Sequence, residues 1–184
     1  LGWLAQMQRP DLTLALNLSA TSLGDIELAD RLAGFCDKHG LEVGRVIIEI
    51  TESSSIYDQT AALDLLVRLR LKGFSLSIDD FGVGYSSLTA LHRFPFDKIK
   101  IDREFVHALD GEARASLEAL AIIQAVSGIG RAFGMQVVAE GIETASQHAH
   151  LKAAGVHGMQ GWLFGRPMSA AGFGALLGLG EPQR

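Results

Sequence analysis

The chain has 184 residues, 48% of them hydrophobic, which is enough for one sizeable core and too apolar for a disordered segment. With 16 basic against 21 acidic residues its formal charge is −5, which argues against attraction to a DNA or RNA polymer through the phosphate backbone. The single cysteine, Cys36, can form no internal disulfide, and beside Leu32 and Phe35 it reads as a buried thiol in a reducing, cytoplasmic setting.

In chain order, Leu12 to Ser19 alternates, with four leucines on one face and Asn17 on the other, and reads as a strand. Ile26, Ala29, Ala33 and Cys36 recur at helical spacing within a helix from about Ser22 to His39, stopped by Gly40. A β-branched strand follows from Arg45 to Glu52. Asp58 is placed to cap a helix through Ala62, Leu65, Leu66 and Leu69, closed by Lys72 and Gly73. The next strand, from Phe74, runs into the paired acids Asp79 and Asp80 and then a loop with Gly82 and Gly84. Ser86 to His92 forms a short helix. Asp97 to Asp102 alternates charge with isoleucine, so Ile99 and Ile101 pack outward while Lys98, Lys100 and Asp102 share the other face.

A long helix spans about Glu112 to Phe133, with Leu117, Leu120, Ile123 and Val126 at core spacing and Gly134 as its stop. Its apolar run from Ala119 to Ile129, broken by Gln124 and Ser127, is too short to cross a bilayer. Met135 to Glu140 is a strand, Thr144 and Gln147 have capping-box spacing for a helix ending at Gly155, and Val156 to Gly161 is a final strand. A turn at Gly165-Arg166-Pro167 precedes a last helix capped by Ser169. Six strands alternating with helices imply parallel neighbours, in a doubly wound sheet or a barrel.

Polar residues recur where the strands end. Asn17, Glu49, Asp79 with Asp80, Lys100, Glu140 and Gln160 all fall at or near carboxyl ends, where both architectures build their sites. A site drawn from so many strands favours the barrel. An isolated Asp-Asp pair is equally at home in a turn or at a helix N-cap, so the argument rests on the whole set. Glu49, Asp79, Asp80 and Glu140 with the amide oxygen of Asn17 form an all-oxygen set suited to hard divalent cations such as Mg²⁺ or Mn²⁺. With Asp79 bridging, two ions roughly 3.5–4 Å apart could polarise a hydroxide for in-line attack on a phosphodiester. Lys100 would orient the water or offset phosphate charge; its alternative is an internal ion pair with Asp102 filling a barrel layer. The histidines follow no ligand spacing: His148 and His150 read as surface residues and His157 as a hydrogen-bonded core group. Asp79-Asp80-Phe81-Gly82 also has the string of a protein-kinase element, but no glycine-rich nucleotide loop, lysine strand or catalytic-loop motif accompanies it.

The motifs Asn17-Leu18-Ser19-Ala20, Glu49-Ile50-Thr51-Glu52-Ser53, Ile78 to Leu88, Lys98-Ile99-Lys100-Ile101-Asp102, Val137 to Thr144, and Gln160-Gly161 with Gly165-Arg166-Pro167, in this order, resemble the EAL domain, the bacterial cyclic di-GMP phosphodiesterase module. The resemblance covers nearly the whole chain. It implies an α/β fold, a modified TIM-like (β/α)8 barrel, and metal-dependent hydrolysis of cyclic di-GMP to linear 5′-pGpG with two Mg²⁺ or Mn²⁺ ions. By the same resemblance Asn17, Glu49 and Asp79 would hold one ion, Asp79, Asp80 and Glu140 the second, and Lys100 the attacking water. Asp102, Glu143, Gln160 and Gly82 would support metals, water and phosphate. Glu52 would brace the loop from Phe81 to Ser87, which contributes to the second ion site and to dimer contacts, and where Val83 replaces the usual Thr or Ala.

The family's name-giving Glu-Ala-Leu segment, with a further metal ligand, belongs roughly 60 residues before Asn17. Residues 1–184 are therefore expected to be about the C-terminal three quarters of the domain, lacking about the first two barrel strands. The resemblance further implies a homodimer of the complete domain, upstream sensor or diguanylate cyclase-like domains, and a parent protein that could be membrane-anchored. The competing expectations are a catalytically inactive cyclic di-GMP receptor and a protein-interaction domain.

Overall fold

Six of the alternating or apolar stretches form one parallel sheet in the computed structural model, which describes residues 9–52, 59–83 and 88–178. The strands are β1 (Leu14–Asn17), β2 (Val46–Thr51), β3 (Ser75–Phe81), β4 (Lys98–Ile101), β5 (Gln136–Ala139) and β6 (Gly158–Met159). They lie side by side in chain order, and each neighbouring pair is parallel. Each connection must return to the end of the sheet where strands begin, and helices fill the returns. These are α1 (Leu28–His39), α2 (Gln59–Lys72), α3 (Leu88–Arg93), α4 (Arg103–Ala108) with α5 (Ala113–Phe133), and α6 (Ala145–Ala153), with α7 (Ala170–Leu176) after the last strand. A strand order that never reverses is that of a TIM-like barrel; a doubly wound sheet reverses at its switch point.

In-register neighbours of parallel strands share a face, and the two faces differ in chemistry. One carries Val46, Ile48 and Ile50 of β2, Leu76 and Ile78 of β3, Ile99 and Ile101 of β4, and Val137 and Ala139 of β5, none more than 1% exposed. These form one core with Ala62, Leu65, Leu66 and Leu69 of α2 and Ala119, Ile123 and Val126 of α5. Each large side chain so buried contributes about 1.5–3 kcal/mol, which makes this layer the main source of stability. The other face aligns Asn17, Glu49, Ser77, Lys98 and Gln136 in one row, with Asp79 and Lys100 one step nearer the carboxyl ends.

Several ends follow the expected chemistry. Gly40 and Gly134 close α1 and α5 in the left-handed conformation, and Thr144 and Gln147 form the full capping box of α6. Ser169 accepts from the Gly172 amide to cap α7. Other details differ. Residues from Ser22 do not start a helix: Ala20–Ser22 is a 3₁₀ turn in which the Ser19 and Ser22 hydroxyls bond each other, a local alternative to helical pairing. Ile26 precedes α1 and is exposed, as is Phe35.

Leu117, at core spacing, is 69% exposed because the buried stripe of α5 runs through Ala119, Ile123, Val126, Ser127 and Gly130. That choice follows from close approach: a Cβ on Gly130 would lie 2.4 Å from Val137 Cγ2, so the helix lays its glycine on β5. The last strand contracts to two residues, and α4 occupies a stretch in which no helix is expected from the sequence. Asp58, the expected cap of α2, lies outside the described residues, as do residues 84–87 of the glycine loop and the expected start of α3 at Ser86. Among the described residues no helix is long and apolar enough to cross a membrane.

Candidate active site

Lys100 stands on the polar face of β4 with a 7% exposed side chain, so its ammonium must find partners within the fold. It finds three. Nζ lies 2.8 Å from Glu49 Oε2 of β2, 3.1 Å from Asp79 Oδ2 of β3 and 2.6 Å from Glu140 Oε1, just past β5. In a flat sheet β2 and β4 would be roughly 10 Å apart, so side chains meet here only because the sheet is concave toward them. Burial alone would lower the Lys100 pKa, but the hydrogen bonds it donates to Glu140 and Glu49 outweigh that and hold the ammonium above the ordinary lysine range. Burial pushes the Glu140 carboxyl up, against the pull of Lys100, as expected where negative groups outnumber the cation.

The paired acids reach this region by a defect in the sheet. Between Ile78 and Phe81 the register of β3 against β4 slips, as in a β-bulge, and Asp80 takes φ 54, the only non-glycine residue with positive φ among those described. Asp79 stays on the polar face with Lys100. The Asp80 amide donates to Asp79 Oδ1 at 3.0 Å, and its own side chain is exposed. Partial desolvation, the Asp79 charge and a hydrogen bond with the Asp102 carboxyl hold Asp80 above the usual carboxylate range. Asp102 lies past the end of β4: it caps α4 by accepting from the Glu104 amide at 2.6 Å. It therefore leaves Lys100 to the other acids, and the Lys100–Asp102 pair considered from the sequence does not form.

The remaining candidates surround the cluster. Asn17 is in register with Glu49 on edge strand β1, on the same face, and exposed. Glu52 is buried and its Oε2 accepts from the Gly82 amide at 3.2 Å, tying the end of β2 to the glycine loop. Gly82 has φ 102, and a Cβ there would meet the Phe105 ring at 3.0 Å. Glu143 lies 3.7 Å from His107 Nε2, and Gln160 is exposed beside Glu140 in the wall of a second cavity. His157 accepts through Nδ1 from the Val137 amide, a hydrogen-bonding role away from the acids, and Cys36 is buried.

A cavity of about 920 Å³ is lined by Glu52, Asp80, Asp102 and Glu140, with Arg103 and His107 of α4 among the other walls. A second, of about 860 Å³, shares Arg103, His107 and Glu140 with it and is lined further on by Trp162, Phe164 and Met168, where Arg166 lies 4.5 Å over the Trp162 ring. Sequence reasoning missed Arg103 and His107; a spacing of four just after Asp102 was their only signal.

Among the described residues no group of three acids, histidines or cysteines is already arranged as an ion cage, since the cluster closes on the ammonium instead. The donor set still fits a hard divalent cation: oxygens of Glu49, Asp79 and Glu140 all lie within 3.1 Å of one centre of positive charge. Beneath them the buried Ser77 hydroxyl has no partner among the described residues.

A parallel barrel sheet with acids and one lysine converging at its carboxyl ends defines an α/β barrel domain with an acidic site closed around that lysine. The chain belongs to the EAL domain family, whose pattern matches residues 2–167. It is 40% identical over 160 residues to MucR of Pseudomonas aeruginosa, a bifunctional diguanylate cyclase/cyclic di-GMP phosphodiesterase, covering 87% of this chain and 23% of that protein. The MucR phosphodiesterase in complex with cyclic di-GMP superposes with TM-score 0.83 at 38% identity, over 93% of this chain and 67% of the other. RocR of the same organism, a cyclic di-GMP phosphodiesterase, is 39% identical over 90% of this chain and 41% of its own length. Klebsiella pneumoniae BlrP1, in a manganese and cyclic di-GMP complex, has TM-score 0.81 and 35% identity over 90% of this chain and 42% of its own. The chain thus spans well under half the length of these curated relatives.

Proposed function

We propose that the protein to which this chain belongs hydrolyses cyclic di-GMP to linear 5′-pGpG, with Mg²⁺ or Mn²⁺ held by Asn17, Glu49, Asp79, Asp80 and Glu140. The observation that carries the reading is the convergence of Glu49, Asp79 and Glu140 from three strands on one buried cation, Lys100 Nζ. Bound divalent ions would supply Lewis acidity toward the phosphoryl oxygens and a more acidic water. The chain's own groups do the rest. Lys100, kept charged, donates hydrogen bonds that orient the attacking water and offset developing negative charge. Glu52 fixes the start of the glycine loop through the Gly82 amide, which sets Asp80 against Asp102.

Glu143 and Gln160, at the rim, are assigned to substrate contacts, and Trp162 and Phe164 in the second cavity offer flat surface for purine rings. The glycine loop is also assigned to contacts between two copies of the complete domain. The reading that the chain works within a longer signalling protein is supported by the bifunctional relative MucR, of which it covers 23%. The test is turnover by the full-length parent protein with Mn²⁺, read by chromatography of nucleotide products. We expect 5′-pGpG in the presence of the ion and none after Glu49→Gln; a folded parent that yields no product removes the reading.

A further inference from the structure

The mouth is acidic almost throughout. Of the groups around the first cavity, Glu52, Asp80, Asp102, Glu104 and Glu140 are acids, and Arg103 and His107 are the only basic side chains among its described lining residues. The same two also line the second cavity, so they stand at the junction of the two spaces. Four residues apart in α4, they project from one helix face.

That face is fixed to the acid cluster by backbone contact. Gly141 follows Glu140 directly, has φ 70, and leaves so little room that a Cβ would lie 2.5 Å from Arg103 Cβ and 3.3 Å from His107 Nε2. The segment carrying Glu140 therefore rests on the basic face. Arg103 makes no hydrogen bond or ion pair among the described residues, and His107 Nε2 stands 3.7 Å from Glu143, an ion pair only when the imidazole is protonated and beyond hydrogen-bond reach.

A cyclic dinucleotide carries two phosphodiesters, and only one can lie at the ions at a time. The other would enter a wall of carboxylates unless a cation met it. We propose that Arg103, with His107 beside it, holds the phosphodiester that is not being cut, and so selects a cyclic dinucleotide over an isolated phosphodiester. A guanidinium suits the task because it offers paired donors to two phosphate oxygens. Arg103 acts by positioning, away from the reacting atoms, and this inference rests on the phosphodiesterase reading above.

The test is a selectivity ratio. The full-length protein with Mn²⁺ is assayed on cyclic di-GMP and on bis(p-nitrophenyl) phosphate, which has one phosphodiester and no second phosphate. In Arg103→Ala the ratio of kcat/KM for cyclic di-GMP over bis(p-nitrophenyl) phosphate should fall about 10- to 100-fold, mostly through KM for the dinucleotide. Arg103→Lys should recover part of it. A ratio unchanged in Arg103→Ala, or both substrates lowered in step, overturns the proposal while leaving the phosphodiesterase reading intact. Failure of the unmodified protein to cleave cyclic di-GMP removes that reading and this one together.

Discussion

The two faces of one sheet put adjacent residues to opposite uses. Along β4, Ile99 and Ile101 are fully buried in an apolar layer, while Lys100 between them anchors three carboxylates. The apolar face gains by removing surface from water and tolerates exchange of like for like. The charged face pays a desolvation cost that its ion pairs offset only as a complete set. Stability and chemistry are thereby separated by a single step along the strand, and substitutions on each face should fail in different ways.

The largest effect is expected on the charged face. Lys100→Met leaves three largely buried carboxylates without their cation, which should cost the ion-free protein about 3–5 kcal/mol and nearly abolish turnover. Thermal unfolding in chelator and in Mn²⁺ tests this, since added ions should recover much of the lost stability but not the turnover. Ile78→Ala on the apolar face should cost about 2–5 kcal/mol as well, with no recovery by Mn²⁺. Equal response of both variants to the ion would erase the distinction between the faces.

Smaller effects sharpen it. Gly141→Ala should lose about 1–2 kcal/mol from its left-handed backbone alone and more from the clash with Arg103, seen in denaturant melts together with a raised KM. Thr144→Ala, which removes a cap far from the acids, should cost about 1 kcal/mol and leave KM unchanged. The pH profile gives a further check. Because the folded pKa of Lys100 is raised, its contribution to stability is complete below the unfolded value of about 10.4 and is lost as pH rises through the folded one. The ion-free protein should therefore show an alkaline loss of stability that Lys100→Met lacks.

Much of this division was legible in the sequence because alternation is a local property. Isoleucines flanking Lys100, acids at strand ends and the cap residues Gly40, Gly134, Thr144 and Ser169 each announce themselves within a few positions. What escaped depends on neighbours. The slip of register that separates Asp79 from Asp80 exists only between β3 and β4, and no spacing in β3 alone encodes it. Leu117 looked like core because the stripe of α5 is chosen by where Gly130 can approach Val137. Arg103 and His107 drew no notice because their significance lies in a short helix folded against Gly141, across 38 residues of chain from Arg103.

The most direct test of the central claim is calorimetric titration of Mn²⁺ into the full-length protein and into Glu49→Gln, Asp79→Asn and Glu140→Gln, at neutral pH. Saturable binding that each single substitution weakens at least tenfold is the expected result, since the three oxygens now grouped around Lys100 would share the ions. Equal Mn²⁺ affinity in all four folded proteins would contradict it.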